Sequence, residues 1–410
     1  MSTSLQSTIE PLQSRRLEQV SSSPQSRLAS KPEHRLLLSC ARTSLRAQDR
    51  ERIIELAASD LDWQFLIRES RRHGLIPLLY SHLDMTCRER VPDECLAVLE
   101  DLFRRNTVSN MLMSAEMFSV LDLLERNNIP AITLKGPTLA VAAYSDLALR
   151  QFADVDIMVP PGDVIRASRL LTSNGYLLEP SLSRAQERAC LKTDCEFSFR
   201  SAIYLELLWE IVPSAYCWTI NHRQLWSRLD RVLIAERSAQ VPSPEDLLLI
   251  LCVHGSKHCW ERLGWIVDIA EHVKSCPRLQ WDRLLEDARS LGCERMLLLG
   301  LALASKLLGL ELPQSISRSI DSNTAVSRLV EDVNCRLFRS SDEQARVIRS
   351  SWFYVRTRER LWDRVNCLMR MSLKPSVSDI RSLPAFALKF PLYLLFRPMR
   401  LIANRFRPHR

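Results

Sequence analysis

Apolar residues recur three or four positions apart through the first part of the chain, from about residue 35 to residue 129. This spacing places them on one face of a helix and predicts an N-terminal helical segment. One helix is predicted to stop at His73-Gly74, because glycine readily adopts the backbone conformation that ends a helix. Two further helices are predicted around 96–103 and 113–124, with Asn127-Asn128 ending the second.

The pattern changes after residue 129, where short apolar runs are interleaved with short helical stretches. Period-two alternation is typical of half-buried strands. The predicted strands are 130–135, Val155–Val159, Cys195–Phe199 and Ile203–Ile211, and the predicted helices are Thr138–Tyr144 and Val164–Ser173. Asp163 is expected to cap the second helix and Gly175 to end it. This order of elements predicts a compact α+β unit.

Helical patterns return at Ser243-Pro244-Glu245-Asp246, which combines a capping-box pattern with proline in the first turn, and continue to about Ser372. The predicted fold class is therefore α+β, a small mixed-sheet core flanked by N- and C-terminal helical segments. The expected segments are a disordered Ser-rich tail at 1–34, a helical segment at 35–129, the α+β core at 130–235, a helical domain at 236–382 and a basic apolar tail at 383–410.

Composition narrows the classes of protein that fit. A chain of 410 residues exceeds the usual size of one domain. Nine glycines are too few for a turn-dense all-β fold and argue against a glycine-rich phosphate-binding loop. The net charge of +8 permits phosphate-bearing partners without requiring nucleic acid. No apolar stretch reaches the roughly 18 residues of a membrane-spanning helix, so no transmembrane segment is predicted.

The 12 cysteines form no Cys-x-x-Cys pair and show no regular spacing. Such a pattern favours reduced thiols over a disulfide framework or a zinc site. We expect a cytoplasmic protein whose cysteines are mostly buried as small apolar side chains.

Asp154 and Asp156 are the first candidates for chemistry, since side chains two positions apart on a strand point to the same face. Val155, between them, would then point into the core. Two carboxylates held so close are costly unless a cation lies between them, and Mg²⁺ prefers one or two carboxylates together with substrate phosphates. For an isolated Asp-x-Asp, the competing interpretation is a strand end with solvated charges.

The surrounding residues favour a phosphate-handling site. A third carboxylate on a neighbouring strand would complete a two-metal site, and Glu206 is the best candidate. Gly136 lies at a predicted strand-to-helix turn, where backbone N–H groups can face a phosphate, although Pro137 removes one donor. Lys135 precedes this glycine and Arg150 lies four residues before Asp154, so both are candidates for neutralising phosphates.

His254 and His258 share one face of a predicted helix, a spacing that suits either a ligand contact or simple packing. A zinc site is a further alternative, but too few ligands converge for a closed one. We expect these histidines to line the cleft that faces the nucleotide or the acceptor.

Several of these motifs together resemble the bacterial uncharacterised nucleotidyltransferase family of the polymerase-β-like superfamily. The stretches that carry the resemblance are Leu134-Lys-Gly-Pro-Thr-Leu139, Tyr144, Arg150–Val159, Gly175-Tyr176, Trp63 with His73–Pro77, and His254-x3-His258 with Trp265-x2-Asp268. The resemblance extends over about 36–310. It implies that Asp154 and Asp156 hold the metals, that Gly136 contacts the nucleotide phosphates and that Glu206 is the third carboxylate.

The chain departs from the pattern of that family at two positions. The residue after the turn glycine is usually small, whereas here it is Pro137. The strand with the third acid usually continues acid-x-His-Trp, whereas here Leu208 replaces the histidine. Neither change removes a predicted metal ligand.

The resulting interpretation is a Mg²⁺-dependent nucleotidyltransferase that moves a nucleotidyl group from an NTP, with ATP expected, to an acceptor hydroxyl or phosphate. Asp154, Asp156 and Glu206 would hold two Mg²⁺ ions. Protein, RNA, sugar and small-molecule acceptors all suit this chemistry. One alternative is a catalytically weak or inactive protein of the same fold that acts as a binding module. Another is a protein recruited to an anionic membrane surface by its basic tail.

Overall fold

The structure, a computed structural model, describes residues 31–179, 181–338 and 352–373. The basic apolar tail predicted at 383–410 lies outside these residues, as does nearly all of the Ser-rich tail predicted at 1–34. The last three residues of that predicted tail, 32–34, instead begin the first helix.

The described residues before the sheet form five helices with a shared apolar core. They are α1 (Pro32–Cys40), α2 (Ala47–Ala57), α3 (Trp63–His73), α4 (Ile76–Cys87) and α5 (Asp93–Arg126). Gly74 ends α3 as predicted, in a left-handed conformation with φ of 73°.

The prediction of two helices over 96–103 and 113–124 is wrong, because α5 is one continuous helix of 34 residues. Its polar middle contains neither glycine nor proline, so nothing in the backbone interrupts it. Asn110 in this middle part donates from its amide to the carbonyl oxygens of Leu147, at 2.7 Å, and Arg150, at 2.8 Å. The polar middle of α5 therefore holds the loop that contains Leu147 and Arg150 against this helix.

The α+β core contains a five-stranded sheet in the order β1–β2–β5–β4–β3. The strands are β1 (Ile132–Thr133), β2 (Asp154–Met158), β3 (Leu177–Leu178), β4 (Glu196–Arg200) and β5 (Tyr204–Leu208), and the helices among them are α6 (Gly136–Tyr144), α7 (Val164–Ser173) and α8 (Arg184–Thr193). β2 and β5 pair in parallel and the other neighbours are antiparallel, so the sheet is mixed, as predicted.

Helix α7 has the predicted bounds, but the capping role expected of Asp163 is not found. Within the described residues its side chain accepts no capping hydrogen bond, and its carboxylate lies 3.8 Å from Arg166 instead. Beyond the end of α7, Gly175 takes a positive φ of 91°, which agrees with its predicted role as a stop.

The sheet lies between two apolar cores. Val155 and Ile157 of β2 pack on one side with Leu205 and Leu207 of β5, and α7 covers this side. On the other side Leu208 joins the larger core formed by the helices. Side chains alternate along β2 and β5, so their acidic residues lie on the side of the sheet opposite α7, the side that faces the larger core.

A hairpin that the sequence did not predict follows the sheet. The short helix α9 (His222–Ser227) leads into β6 (Leu229–Ile234), which pairs antiparallel with β7 (Arg237–Pro242). The boundary expected at 235 passes through the turn of this hairpin.

The described residues after the hairpin are helical, as predicted. They form α10 (Pro244–Lys257), α11 (Leu263–Ser275), α12 (Trp281–Ser290), α13 (Glu294–Leu308), α14 (Gln314–Asp321), α15 (Thr324–Leu337) and α16 (Leu361–Leu373). Ser243 caps α10 by accepting a hydrogen bond from the backbone N–H of Asp246. None of the helices in the described ranges is both long and apolar enough to cross a membrane. Nine of the 12 cysteines are buried, as expected.

Candidate active site

The parallel pairing of β2 with β5 brings three carboxylates together. Asp156 lies directly opposite Glu206 in the register of the two strands, and Asp154 lies two positions before Asp156 on the same face. Asp156 is only 2% exposed, so its charge is buried at the floor of the cleft. The hydrogen-bonding register thus fixes the spacing of these side chains.

The turn before α6 approaches this acidic floor from the side. Gly136 takes a positive φ of 58°, and a Cβ at this position would lie 3.4 Å from the carbonyl oxygen of Asp154. Glycine allows both the left-handed conformation and the close approach. The amino group of the preceding Lys135 lies 3.3 Å from Oδ1 of Asp156 and 3.5 Å from Nδ1 of His254.

The carboxylate of Asp156 has the chemistry of a cation ligand. Within the described residues, neither of its oxygens accepts a hydrogen bond, and Lys135 is its ion-pair partner. A buried carboxylate without hydrogen bonds is costly unless a cation compensates its charge. Across the described part of the chain, no three His, Cys, Asp or Glu side chains form a group that could hold a metal ion. Substrate oxygens would therefore have to complete the coordination, which suits Mg²⁺.

Arg150 is held by a buried network rather than left free for phosphates. Its Nε and one terminal nitrogen donate to the two carboxylate oxygens of Asp268, at 2.7 and 2.9 Å. The hydroxyl of Tyr144 also donates to Asp268, at 2.7 Å. The remaining terminal nitrogen of Arg150 is buried without a hydrogen-bond partner in the described structure. Arg150 lines the pocket, and this nitrogen is its side-chain donor without a partner among the described residues.

The opposite wall comes from the end of α10 and the start of α11. The rings of His254 and His258 lie 4.6 Å apart between centroids, and Trp265 lies 5.5 Å from the first and 5.1 Å from the second. Burial and the nearby Lys135 hold the pKa of His254 well below its usual value. Burial and the adjacent Lys257 lower the pKa of His258 to about 3. Both imidazoles are therefore neutral near pH 7.

One pocket of about 410 Å³ gathers every site residue predicted from the sequence. These residues are Lys135, Gly136, Arg150, Asp154, Asp156, Glu206, His254 and His258. The pocket also contains residues for which sequence reasoning gave no role, namely Glu196, Lys257 and Trp265. The alternation of β4 could have identified Glu196, whereas no local pattern places Lys257 in the pocket, because its neighbours across the pocket are distant in sequence.

A family model described as "Uncharacterised nucleotidyltransferase" matches residues 59–309. This chain belongs to that nucleotidyltransferase family. The match runs from just before α3 to the end of α13 and so includes both the carboxylates of the sheet and the histidine wall. No curated protein sequence matches the chain.

Burial and mutual repulsion raise the pKa of two carboxylates in the pocket of this nucleotidyltransferase, so their ionised forms are stabilised by a nearby cation. Burial, and then the neighbouring Glu196, Asp156 and Asp154, raise the pKa of Glu206 to about 8. Burial and Asp156 also raise the pKa of Asp154. Burial opposes the charge of Lys135, but the carboxylates outweigh it and raise the pKa of this lysine. The three carboxylates therefore keep Lys135 charged. A further cation beside them would reduce the repulsion between their charges.

Of the two departures from the expected family pattern, Leu208 lines the pocket, and Pro137 follows the pocket residue Gly136. Leu208 lines the pocket and is 5% exposed, so it closes the floor with apolar surface beyond Glu206. Pro137 lies in the first turn of α6, where it contributes no backbone N–H. Phosphate recognition at this turn would therefore rely on the other backbone donors and on Lys135.

Proposed function

We propose that this protein transfers a nucleotidyl group from an NTP, with ATP as the expected donor, to an acceptor hydroxyl or phosphate in a Mg²⁺-dependent, polymerase-β-like reaction. The register that sets Asp156 beside Glu206, with Asp154 on the same face, is the observation that carries the proposal. Three carboxylates facing a pocket with cationic walls suit a site that must hold both metal ions and phosphates.

The metal ligands in this proposal are Asp154, Asp156 and Glu206, whose carboxylates would have to move closer together when the ions bind, because in the described structure they do not form a three-ligand group. When bound, two Mg²⁺ ions would neutralise these carboxylates and the phosphate charge and would lower the pKa of the acceptor hydroxyl. The donor set fits, because the oxygens of Asp156 accept no hydrogen bonds from the described residues.

The cationic side chains orient the triphosphate. Lys135 is charged and already lies 3.3 Å from Asp156, so a small movement would place its amino group on a phosphate oxygen. The terminal nitrogen of Arg150 that has no partner among the described residues would offer a second donor. The neutral His254 and His258, with Trp265, form the wall against which the nucleotide or the acceptor packs. Positioning and charge neutralisation supply most of the catalysis in reactions of this class.

In the transfer, the acceptor oxygen forms a bond to the α-phosphorus while the bond from this phosphorus to the bridging oxygen of the β-phosphate breaks. Pyrophosphate leaves. Glu206, as a ligand of the second proposed ion, would lower the pKa of the acceptor hydroxyl, and the proton of that hydroxyl passes to water.

Calorimetric titration with ATP tests the proposal at the level of binding. The wild type should bind ATP in the presence of Mg²⁺ and much more weakly in EDTA, and Asp154→Asn should remove most of that difference. ATP binding that is absent, or unaffected by Mg²⁺, would instead favour a binding module that keeps the fold without the activity.

A further inference from the structure

The acidic face of the sheet continues beyond the pocket toward the edge strand. Ser198 of β4 lies opposite Glu206 in the antiparallel register. The backbone N–H of Glu179, just after β3, donates to the carbonyl oxygen of Ser198 at 2.9 Å and extends the row by one strand. Asp156, Glu206, Ser198 and Glu179 therefore lie side by side across four strands.

A neighbouring row runs parallel to this one. Asp154 lies opposite Tyr204, which in turn lies opposite Arg200. Tyr204 is 49% exposed, a large fraction for an aromatic side chain on a sheet. The guanidinium of Arg200 lies 5.7 Å from the centroid of this ring, so the ring forms a partly open platform beside the carboxylates.

These two rows line a second cavity, of about 760 Å³, to which Asp154, Glu206, Ser198, Glu179 and Tyr204 contribute. Asp154 and Glu206 line both cavities. The two cavities thus meet at the proposed metal ligands. An in-line displacement needs the attacking and leaving oxygens on opposite sides of the phosphorus, and two cavities that meet at the carboxylates offer separate room for the donor and the acceptor.

From this arrangement we infer that the second cavity is the acceptor site and that the acceptor is a carbohydrate, uncharged or bearing an amine. The inference rests on the proposed nucleotidyl transfer and assigns its substrate class. The NTP would lie in the first cavity, with Lys135 and Arg150, and the sugar hydroxyl would enter from the side of Tyr204.

The lining chemistry supports this class. Carboxylates accept hydrogen bonds from hydroxyl and ammonium groups, the hydroxyl of Ser198 can do both, and an exposed tyrosine ring packs against the apolar C–H face of a sugar. No basic side chain is found among the described residues that line this cavity. Arg200, at its rim, lies 3.6 Å from the carboxylate of Glu179. A polyanion such as RNA requires several unpaired cations along its backbone.

The transfer needs no reactant other than the NTP and the sugar. The sugar hydroxyl oxygen bonds to the α-phosphorus of the NTP, and the bond from this phosphorus to the bridging oxygen breaks. The hydroxyl proton passes to water, and pyrophosphate leaves. The products are a nucleotidyl sugar phosphodiester and pyrophosphate.

The test uses ATP labelled at the α-phosphate, Mg²⁺, the full-length protein and a cell extract separated into protein, nucleic-acid and small-molecule-plus-glycan fractions. Label is expected in the last fraction, in a product that resists protease and nuclease. Periodate treatment of that fraction, quenched before ATP is added, should abolish labelling because it cleaves vicinal diols. Label in protein or RNA, or labelling that survives periodate, overturns the inference.

Two variants separate this inference from the proposed function. Glu179→Gln should raise the KM for the labelled acceptor fraction about fivefold, the effect of one weakened hydrogen bond, and leave the KM for ATP unchanged. The control Glu89→Gln alters a glutamate that is 76% exposed and should change neither value. Label in the protein or nucleic-acid fraction contradicts the carbohydrate assignment alone, whereas Mg²⁺-dependent ATP binding without label in any fraction contradicts nucleotidyl transfer as well. If the wild type shows no Mg²⁺-dependent binding of ATP, the proposed function itself is contradicted.

Discussion

Asp268 and Arg150 form a buried, two-pronged ion pair, with contacts of 2.7 and 2.9 Å, although 118 positions separate them in the sequence. Asp268 lies on α11 and Arg150 lies in the loop before β2, so the pair ties the helical wall to the acidic floor. Two of the three guanidinium nitrogens of Arg150 bond to Asp268. The ion pair therefore fixes the direction in which the third nitrogen points.

The first prediction concerns this positioning. Asp268→Asn should weaken ATP binding about tenfold, because an amide cannot accept both hydrogen bonds and so releases the guanidinium. Calorimetry with ATP and Mg²⁺ measures the change. Tyr144→Phe, which removes only the hydroxyl that bonds to Asp268, should have a smaller effect. Equal ATP affinity in the Asp268 variant and the wild type would show that Arg150 does not contact the nucleotide.

The second prediction concerns the turn glycine. Gly136→Ala should lower the free energy of unfolding by about 1–3 kcal/mol, since alanine at a φ of 58° is strained and its Cβ would meet the Asp154 carbonyl at 3.4 Å. Gly162→Ala is the matched control, because a Cβ there meets no atom within 4 Å. Denaturant unfolding of both variants measures the difference. Equal stability of the two would contradict the account of this turn.

The third prediction concerns acid stability. The pKa of His258 is lowered to about 3 in the folded protein from an ordinary value of 6.5, so between these values the unfolded chain binds more protons. Stability must therefore fall as the pH falls from 6.5 toward 3. His258→Asn removes this titration and should make the melting temperature fall less steeply than in the wild type between pH 6 and pH 4. Parallel curves would show that His258 is not buried neutral.

The sequence predicted the acidic floor well because its signal is local. Asp154 and Asp156 are two positions apart, and the alternation around Glu206 places its side chain on one face whatever the rest of the chain does. By contrast, the pairing of Arg150 with Asp268 depends on how α11 packs against the core, and no local pattern encodes it. The position of Lys257 in the pocket wall likewise depends on tertiary packing.

The unpredicted elements have physical explanations of the same kind. The β6–β7 hairpin turns at Ala235 and Glu236, where Ala235 takes a positive φ of 52° without the glycine or asparagine that usually marks such a turn. Helix α5 continues through a polar stretch because Asn110 finds partners in the loop that carries Arg150.

Transfer of α-phosphate label from ATP is the most direct measurement of the central claim, that the carboxylates beside Glu206 form a Mg²⁺-dependent centre for nucleotidyl transfer. With Mg²⁺ and cell extract, the wild type should incorporate label, and Asp156→Asn should lose about a hundredfold or more of that rate. Asp101→Asn, a surface control whose aspartate is 55% exposed and paired with Arg105, should retain the wild-type rate. Label incorporation by the Asp156 variant at the wild-type rate, or in EDTA, would contradict the account.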